Sequence, residues 1–291
     1  DRRRSLLVVW TLASIPVCLY GFVQAAHLDP INWLHQPLGV VSTLGSSTAL
    51  ATYLTMLLPL TLVCAAESVD ALLGPPRRPK RGARWYTDPR IHLAGFSALL
   101  AAQVVTVALT QVRGGILALG AGVLVTLAVV FWPTQRRLVT VGGAAALALL
   151  ILATTLFALA PRPDTGDGED TSARQRILIW QDALTTLAGP RIVLGFGPET
   201  QMTALEANYP VSLANRFENQ RFDRAHNLWL DALLTNGLVG LVALLAVLAG
   251  VARAGLLVAA TERGITRWQP AGLLGALAAN LVANQFAFDS A

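Results

Sequence analysis

Long apolar runs alternate with polar stretches along nearly the whole chain. Each run is about twenty residues long and almost free of charged side chains, which is the length that a helix needs to cross the hydrocarbon core of a bilayer. The polar stretches between the runs are typical of the loops that join such helices. The pattern predicts seven membrane spans, at about residues 5–24, 48–66, 91–110, 114–131, 138–160, 228–252 and 270–288.

The composition supports the same fold class. Of the 291 residues, 54% are hydrophobic and only 13% are charged, and the mean hydropathy is +0.54. A soluble domain carries about a quarter charged residues, so this class is excluded. We predict an all-α polytopic membrane protein in which residues 1–291 form a single membrane domain. Because the sequence starts at Asp1 without a methionine and stops directly after a span, we expect it to be a piece of a longer chain.

The N-terminus offers one alternative. Three arginines, an apolar run and the small residue Ala25 resemble a secretory signal peptide, but the run from Ser5 to Val23 is long for the apolar region of a signal peptide. We therefore favour a first span. The two cysteines, Cys18 and Cys64, fall at different depths of their spans and are expected to be unpaired.

The basic residues predict how the spans are oriented. Short loops rich in Lys and Arg stay in the cytoplasm, and the basic loops around residues 2–4, 77–90, 136–137 and 253–267 all fall on one side if the spans alternate. The N-terminus is then cytoplasmic and the segment 161–227 lies outside. That segment contains no lysine but seven arginines, at positions 162, 174, 176, 191, 216, 221 and 224. A guanidinium binds phosphate through two parallel hydrogen bonds, so we expect one to three of these arginines to bind phosphate and the others to be solvated.

The segment 161–227 also contains helical patterns. Ile177, Trp180, Leu184 and Leu187 recur at helical spacing, which predicts a helix with an apolar stripe that ends near Gly189. Arg176 and Trp180 are one turn apart and share a face of this helix. A glycine-rich turn follows and leads into a second short helix.

The start of span six carries the most reactive side chains. An unperturbed imidazole has a pKa near 6.5, so His226 is suited to accept a proton at neutral pH. Asn227 is suited to cap the helix. Asp231 lies one turn further on, and we expect it to face a cavity or to pair with an arginine, because an unsatisfied carboxylate there is unfavourable. Arg224 is expected to contact phosphate or to hold Asp223. The sequence has no cluster of His and Cys residues at metal-ligand spacing.

These motifs together resemble the O-antigen ligase and O-antigen polymerase superfamily of bacterial membrane proteins. The resemblance covers roughly residues 40–290 and does not separate ligase from polymerase. Arg113, in "LTQVRGG", resembles an arginine motif of the family, with Val112 where the family usually has serine. The stretch around Ser46 and Ser47 resembles a helix start that carries Asn-Pro in the family. The positions that match the main signature are Arg176, Trp180, Gly195, Gly197, Pro198, His226, Asn227, Gly237 and Gly240.

The resemblance implies a GT-C-like glycosyltransferase built of membrane helices and active in cell-envelope polysaccharide biosynthesis. It implies transfer of a glycan from undecaprenyl pyrophosphate or a similar polyprenyl-pyrophosphate carrier to a hydroxyl of a glycan or lipid acceptor. The reaction is expected at the outer face of the bacterial inner membrane, with membrane lipids but no nucleic acid as partners, and with no metal or cofactor. Direct displacement would invert the anomeric centre.

The resemblance also implies roles for single residues. His226 is the expected base, and Arg113 and Arg176 are expected to stabilise the pyrophosphate, with Arg174 as the alternative to Arg176. Substrate-binding roles are expected for Arg174, Arg224, Asn227, Trp180, Gly195 and Gly197. A transporter or flippase for a lipid-linked anionic glycan is the alternative function. We disfavour it because transporters tend to carry charges within several spans, and here the spans are nearly uncharged.

Overall fold

A computed structural model of the chain describes residues 2–31, 39–74, 88–135, 171–187, 191–206 and 224–285. Within these ranges the chain forms helices joined by turns, and no strand occurs in them. The prediction of an all-α fold is therefore confirmed. The helices are α1 (Arg2–Leu12), α2 (Ser14–Ala25), α3 (Ser47–Leu73), α4 (Pro89–Leu109), α5 (Arg113–Phe131), α6 (Thr171–Leu187), α7 (Arg191–Leu194), α8 (Gln201–Glu206), α9 (Leu228–Thr261) and α10 (Trp268–Ala283).

Five helical stretches in the described ranges are long and apolar enough to cross a membrane. They are Arg2–Ala25, Ser47–Leu73, Pro89–Leu109, Arg113–Phe131 and Leu228–Thr261. The predicted span at 138–160 lies outside the described residues. The predicted span at 270–288 corresponds to α10, which is a helix of 16 residues and falls short of the usual length of a membrane span.

Local sequence explains where the long helices begin. The Ser46 hydroxyl accepts a hydrogen bond from the Ala49 N–H at 3.3 Å and caps α3. The Asp88 carboxylate accepts one from the Arg90 N–H at 2.9 Å and caps α4, whose first residue is Pro89. Such caps satisfy backbone donors that have no partner within the helix. At Ser46, where the resemblance departs from the family pattern, the residue thus has a structural role.

The chain divides into two compact units. The first comprises Asp1–Leu147, Ala252–Ala283 and Ala287–Ala291, and the second comprises Ala148–Val251 and Asn284–Phe286. Helices α1 to α5 and α10 belong to the first unit. Helices α6 to α8 belong to the second unit, together with α9 as far as Val251.

The first unit is built around α3, which supplies much of its buried core, including Leu50, Leu54 and Val63. Small residues allow α3, α5 and α10 to approach closely. A Cβ added to Gly115 of α5 would lie 2.7 Å from Ala51, and one added to Gly122 would lie 3.0 Å from Ala279 of α10. Helices in a bilayer associate through such close van der Waals packing, because burying apolar surface gains little there.

The cysteines of the first unit agree with the sequence-based prediction. Cys18 and Cys64 are both buried and neither forms a disulfide. They act as small apolar residues in the core.

Candidate functional site

The chain reaches α9 through a tight turn, residues 224–227, which we call the histidine turn. Asn227 caps the helix: its side-chain oxygen accepts hydrogen bonds from the N–H groups of Trp229, at 3.1 Å, and Leu230, at 3.2 Å. Its amide nitrogen donates to the side-chain oxygen of Gln285 at 3.3 Å. The predicted capping role of Asn227 is confirmed.

His226 lies in this turn in an unusual backbone conformation. Its φ is +52°, in the left-handed region that side chains other than glycine rarely adopt. The residue is 8% exposed. A non-glycine residue keeps such a conformation only where its surroundings enforce it, and such residues cluster at functional sites.

Asp231 provides part of that enforcement. One carboxylate oxygen accepts a hydrogen bond from the Ala225 N–H at 2.8 Å, and the other accepts one from the Asn227 N–H at 3.2 Å. These two amides flank His226 in the chain. The sequence suggested a cavity-facing carboxylate or a pair with arginine. The structure shows instead that backbone N–H groups of the histidine turn satisfy it, and hydrogen bonds from N–H to a charged oxygen are among the stronger ones.

Trp180 holds the same turn from α6. Its indole N–H donates to the carbonyl of Ala225 at 3.0 Å, and Ala225 is completely buried. A buried indole N–H generally requires such a partner. Ala225 is therefore held through both of its backbone groups, by Asp231 and by Trp180.

The glycine-rich turn at residues 195–197, which we call the glycine brace, pairs with the backbone of α9. The Phe196 N–H donates to the carbonyl of Leu234 at 2.7 Å, and the Gly197 N–H donates to that of Thr235 at 2.9 Å. Helix α9 is interrupted at Gly237, which has φ +63° and ψ −165°. An interruption there removes the helical N–H partners of the preceding carbonyls, and the glycine brace replaces them.

The contact between brace and helix requires glycine on both sides. Gly195 has φ +74°, and a Cβ added there would lie 2.5 Å from the carbonyl oxygen of Thr235. A Cβ on Gly237 would collide with the carbonyl of Val193. The sequence predicted the glycine-rich turn and a span at 228–252, but it did not predict the break at Gly237.

Helix α8 makes a further contact with the start of α9. The Gln201 side-chain N–H₂ donates to the Thr235 hydroxyl at 2.6 Å and to the carbonyl of Asp231 at 3.3 Å. Its side-chain oxygen is buried and has no hydrogen-bond partner within the described residues. Gln201 thus links the helix that follows the glycine brace to the residue that holds the histidine turn.

Arg224 opens the histidine turn and is largely exposed. Its guanidinium lies 3.7 Å from the carboxylate of Glu199, whose side chain is 88% exposed. Exposed ion pairs of this kind contribute little to stability. Asp223, the other partner considered for Arg224, lies outside the described residues.

The arginines expected to bind phosphate are distributed over both units. Arg174 and Arg176 are in α6, but their side chains lie outside what the structure describes. Arg113 is in the first unit; the predicted spans 91–110 and 114–131 left it in the turn between them, and in the structure it is the first residue of α5. The reversal occurs at Gln111, which has φ +56°, so the chain has already turned before Arg113. The roles expected for Arg113, Arg176 and His226 stay predictions.

The buried face of α6 is rotated relative to the predicted stripe and shares Leu187 with it. Ile179, Ala183 and Leu187 are buried, whereas Leu184 of the predicted stripe is 56% exposed. In a segment rich in apolar residues, more than one helix face has apolar side chains at helical spacing. A pattern based on large side chains does not indicate that a small residue such as Ala183 is buried. The buried face also contains Asp182, which the hydrophobic pattern did not indicate.

Asp182 is a buried acid outside the membrane-spanning helices. It is 5% exposed, and one of its carboxyl oxygens has no hydrogen-bond partner in the part of the chain that the structure describes. Burial raises the pKa of this carboxyl to about 6, because the charged form loses its hydration. The group is therefore neutral in mildly acidic solution and charged above pH 6.

Replacing Asp182 with asparagine is expected to stabilise the second unit above pH 6 and to change little below pH 4. The pKa of the folded state lies above that of an unfolded aspartate, so the stability contributed by the acid is complete below about pH 4 and is lost as the pH rises through 6. The gain in D182N at pH 8 should be about 1–3 kcal/mol. This gain in stability is measured by hydrogen exchange of the α6 amides between pH 4.5 and 8. The exposed Asp70→Asn variant is the control, and an equal gain for D182N at every pH would contradict the prediction.

In the described ranges, no group of three or more His, Cys, Asp or Glu residues is arranged to hold a metal ion. What the site offers is a buried imidazole in an enforced conformation, with exposed Arg224 beside it. Such a set can accept a proton and attract an anion.

Comparison with known proteins assigns the chain to a family. The sequence model of a family described as O-Antigen ligase matches residues 96–245, which is more than half of the chain. The matched range includes Arg113, Arg176 and His226. No curated protein and no solved structure matches the chain.

Proposed function

The chain belongs to the O-antigen ligase family, and from this premise we propose how it transfers a glycan. Membership makes it a multi-pass membrane protein of the O-antigen ligase or polymerase type, which acts on lipid-linked glycans. The donor in our proposal is a glycan on a polyprenyl-pyrophosphate carrier, and the acceptor is a hydroxyl of a second glycan or a lipid. The reaction takes place at the outer face of the bacterial inner membrane, at the segment 161–227, and needs no metal.

The observation that carries this proposal is the enforced position of His226. In the proposed step, His226 takes the proton of the acceptor hydroxyl while the oxygen attacks the anomeric carbon. The bond between that carbon and the phosphate oxygen breaks, and its electron pair stays on the polyprenyl pyrophosphate. The imidazolium then returns the proton to solvent. One displacement of this kind inverts the anomeric centre.

Departure of the pyrophosphate depends more on stabilisation by nearby positive charge than on protonation by an acid. Negative charge develops on the bridging oxygen, and preorganised guanidinium groups stabilise such charge as the bond breaks. Arg113 and Arg176 have this role in the proposal. Arg174 and Arg224 attract the rest of the anionic donor.

The other residues expected to bind substrate instead hold or shape the backbone of the protein. Trp180 and Asn227 hold the histidine turn, while Gly195 and Gly197 shape the brace that binds α9. The indole N–H of Trp180 and the N–H of Gly197 are already used within the protein. These four residues support the base and leave the direct contacts with substrate to His226 and the arginines.

Replacing Arg113 or Arg176 with lysine is expected to lower transfer about 10- to 100-fold. Lysine keeps the charge but loses the planar pair of donors that matches a phosphate. The assay uses protein purified in nanodiscs with a polyprenyl-pyrophosphate glycan and a hydroxyl acceptor, with the product identified by mass spectrometry. Arg263→Lys, at an exposed position of the first unit, is the matched control.

Three outcomes would count against the proposal. Full activity of both lysine variants would show that a point charge suffices at these positions. Strong inhibition by EDTA would show that a metal supplies the positive charge. Movement of the intact donor across the bilayer without glycan transfer would favour the transporter alternative.

A further inference from the structure

The carboxylate of Asp231 is placed to act on the base as well as on the fold. It accepts hydrogen bonds from the Ala225 N–H at 2.8 Å and from the Asn227 N–H at 3.2 Å, so it binds the backbone of the residues before and after His226. The imidazole of His226 and the guanidinium of Arg224 both interact electrostatically with this carboxylate. One side chain therefore determines both the backbone and the electrostatic surroundings of the histidine.

We propose that Asp231 is a positioning residue that fixes His226 in its left-handed conformation and sets the basicity of its imidazole. The inference rests on the proposed function, because it assigns Asp231 a part in the proton transfer made by His226. This role requires the negative charge of Asp231, so a neutral side chain of the same shape could not replace it. In a helix cap or a purely structural contact such a side chain could.

The conformational part follows from the geometry of the turn. Left-handed backbone at a residue other than glycine costs about 1 kcal/mol or more, and something must hold it. The carboxylate of Asp231 and the indole of Trp180 both form hydrogen bonds to the backbone next to His226. The carboxylate bonds to the His226–Asn227 peptide group and to the Arg224–Ala225 peptide group, whereas the indole bonds to the Ala225–His226 peptide group between them. Asp231 thus holds the chain both before and after His226.

The electrostatic part follows because the interaction of two charges is mutual. A carboxylate near an imidazole favours the protonated, positive form of the ring. A more basic imidazole accepts the acceptor's proton more readily in the transition state. Arg224 acts in the opposite direction, but its guanidinium is more than half exposed and lies 3.7 Å from Glu199, so solvent and Glu199 reduce its effect. Asp231, by contrast, is held by two hydrogen bonds from backbone N–H groups of the histidine turn.

The main variant for the test is Asp231→Asn. The amide keeps one oxygen acceptor for a flanking N–H and removes the charge. We expect kcat to fall about tenfold with little change in KM, and the acid limb of the pH profile to move down by about one pH unit. Asp231→Glu keeps the charge on a longer side chain. It should retain the acid limb near its original pH while kcat falls because the turn is less well held.

A direct titration separates this inference from the proposed function. Carbon-13 NMR of labelled histidine in nanodiscs follows the imidazole, and the signal that disappears in His226→Asn identifies it. The pKa of this ring should fall in Asp231→Asn and stay close to its original value in Asp231→Glu. Size-exclusion behaviour and circular dichroism check that each variant is folded.

Each outcome has a definite meaning. If Asp231→Asn leaves both the ring titration and the acid limb unchanged, and alters only the thermal stability, Asp231 has a structural role and the inference is wrong. If the ring titration shifts but His226→Asn transfers glycan normally, the proposed function of His226 is wrong, while the coupling of the two side chains stands. If Asp231→Asn does not fold, the Asp231→Glu variant decides: a changed ring titration in a folded Asp231→Glu protein would also overturn the inference.

Discussion

Replacing His226 with asparagine is expected to lower the rate of glycan transfer by about 10²- to 10⁴-fold, which is the usual contribution of a general base. Asparagine tolerates left-handed backbone better than most residues, so this variant keeps the conformation of the histidine turn and removes the imidazole. Binding of the donor should change little, because the arginines bind the pyrophosphate. The measurements are kcat and KM in nanodiscs, with donor affinity determined separately.

A second histidine provides a matched control for this substitution. His27 also has left-handed backbone, with φ +56°, but it is exposed and lies in the first unit. His27→Asn should retain full activity. Alanine at residue 226 should lose as much activity as asparagine and some stability in addition, because alanine adopts positive φ less readily. Normal transfer by either variant of His226 would rule out its role as the base.

Replacing Gly237 with alanine should disrupt the second unit, with a loss of about 2–5 kcal/mol, in the upper range for single substitutions. Two effects add. Alanine at φ +63° is strained, and its Cβ would collide with the carbonyl of Val193 in the segment that carries the glycine brace. Relief of the collision would separate α7 from α9 and break the hydrogen bonds from Phe196 and Gly197.

The loss can be measured as faster hydrogen exchange at the Phe196 and Gly197 amides and as a lower temperature of inactivation. Gly250→Ala is the matched control on the same helix, because a Cβ there has nothing within 4 Å. Alanine favours helix over glycine by up to about 1 kcal/mol, so this control should be neutral or slightly stabilising. Equal behaviour of the two variants would show that the break at Gly237 is not needed to hold the brace.

Much of the membrane fold was predictable because it depends on hydropathy and helix length. The starts of α3 and α4 fall within two residues of the predicted spans, since the apolar runs are flanked by capping residues such as Ser46 and Asp88. The break at Gly237 was not predictable in this way. Mostly apolar residues stand on both sides of the glycine, and its φ shows that the helix is interrupted.

In the site, the hydrogen-bond partners of a residue were harder to predict than its role in a local element such as a helix cap. The cap formed by Asn227 follows from its position before a helix. The bonds of Asp231 do not, because they depend on the chain folding back over the first turn of α9. Asp182 was missed for a related reason: its burial depends on which apolar face of α6 is covered, and the spacing of the large side chains favoured a stripe that does not contain Asp182.

The bonds between the glycine brace and α9 impose an order on biosynthesis. The donors, at Phe196 and Gly197, leave the ribosome before their acceptors, at Leu234 and Thr235, have been made. Until then the two amides must remain hydrated or find temporary partners. The reactive histidine therefore attains its final geometry only once the early part of the sixth predicted span has been synthesised, which makes assembly of the site a late event in the maturation of the chain.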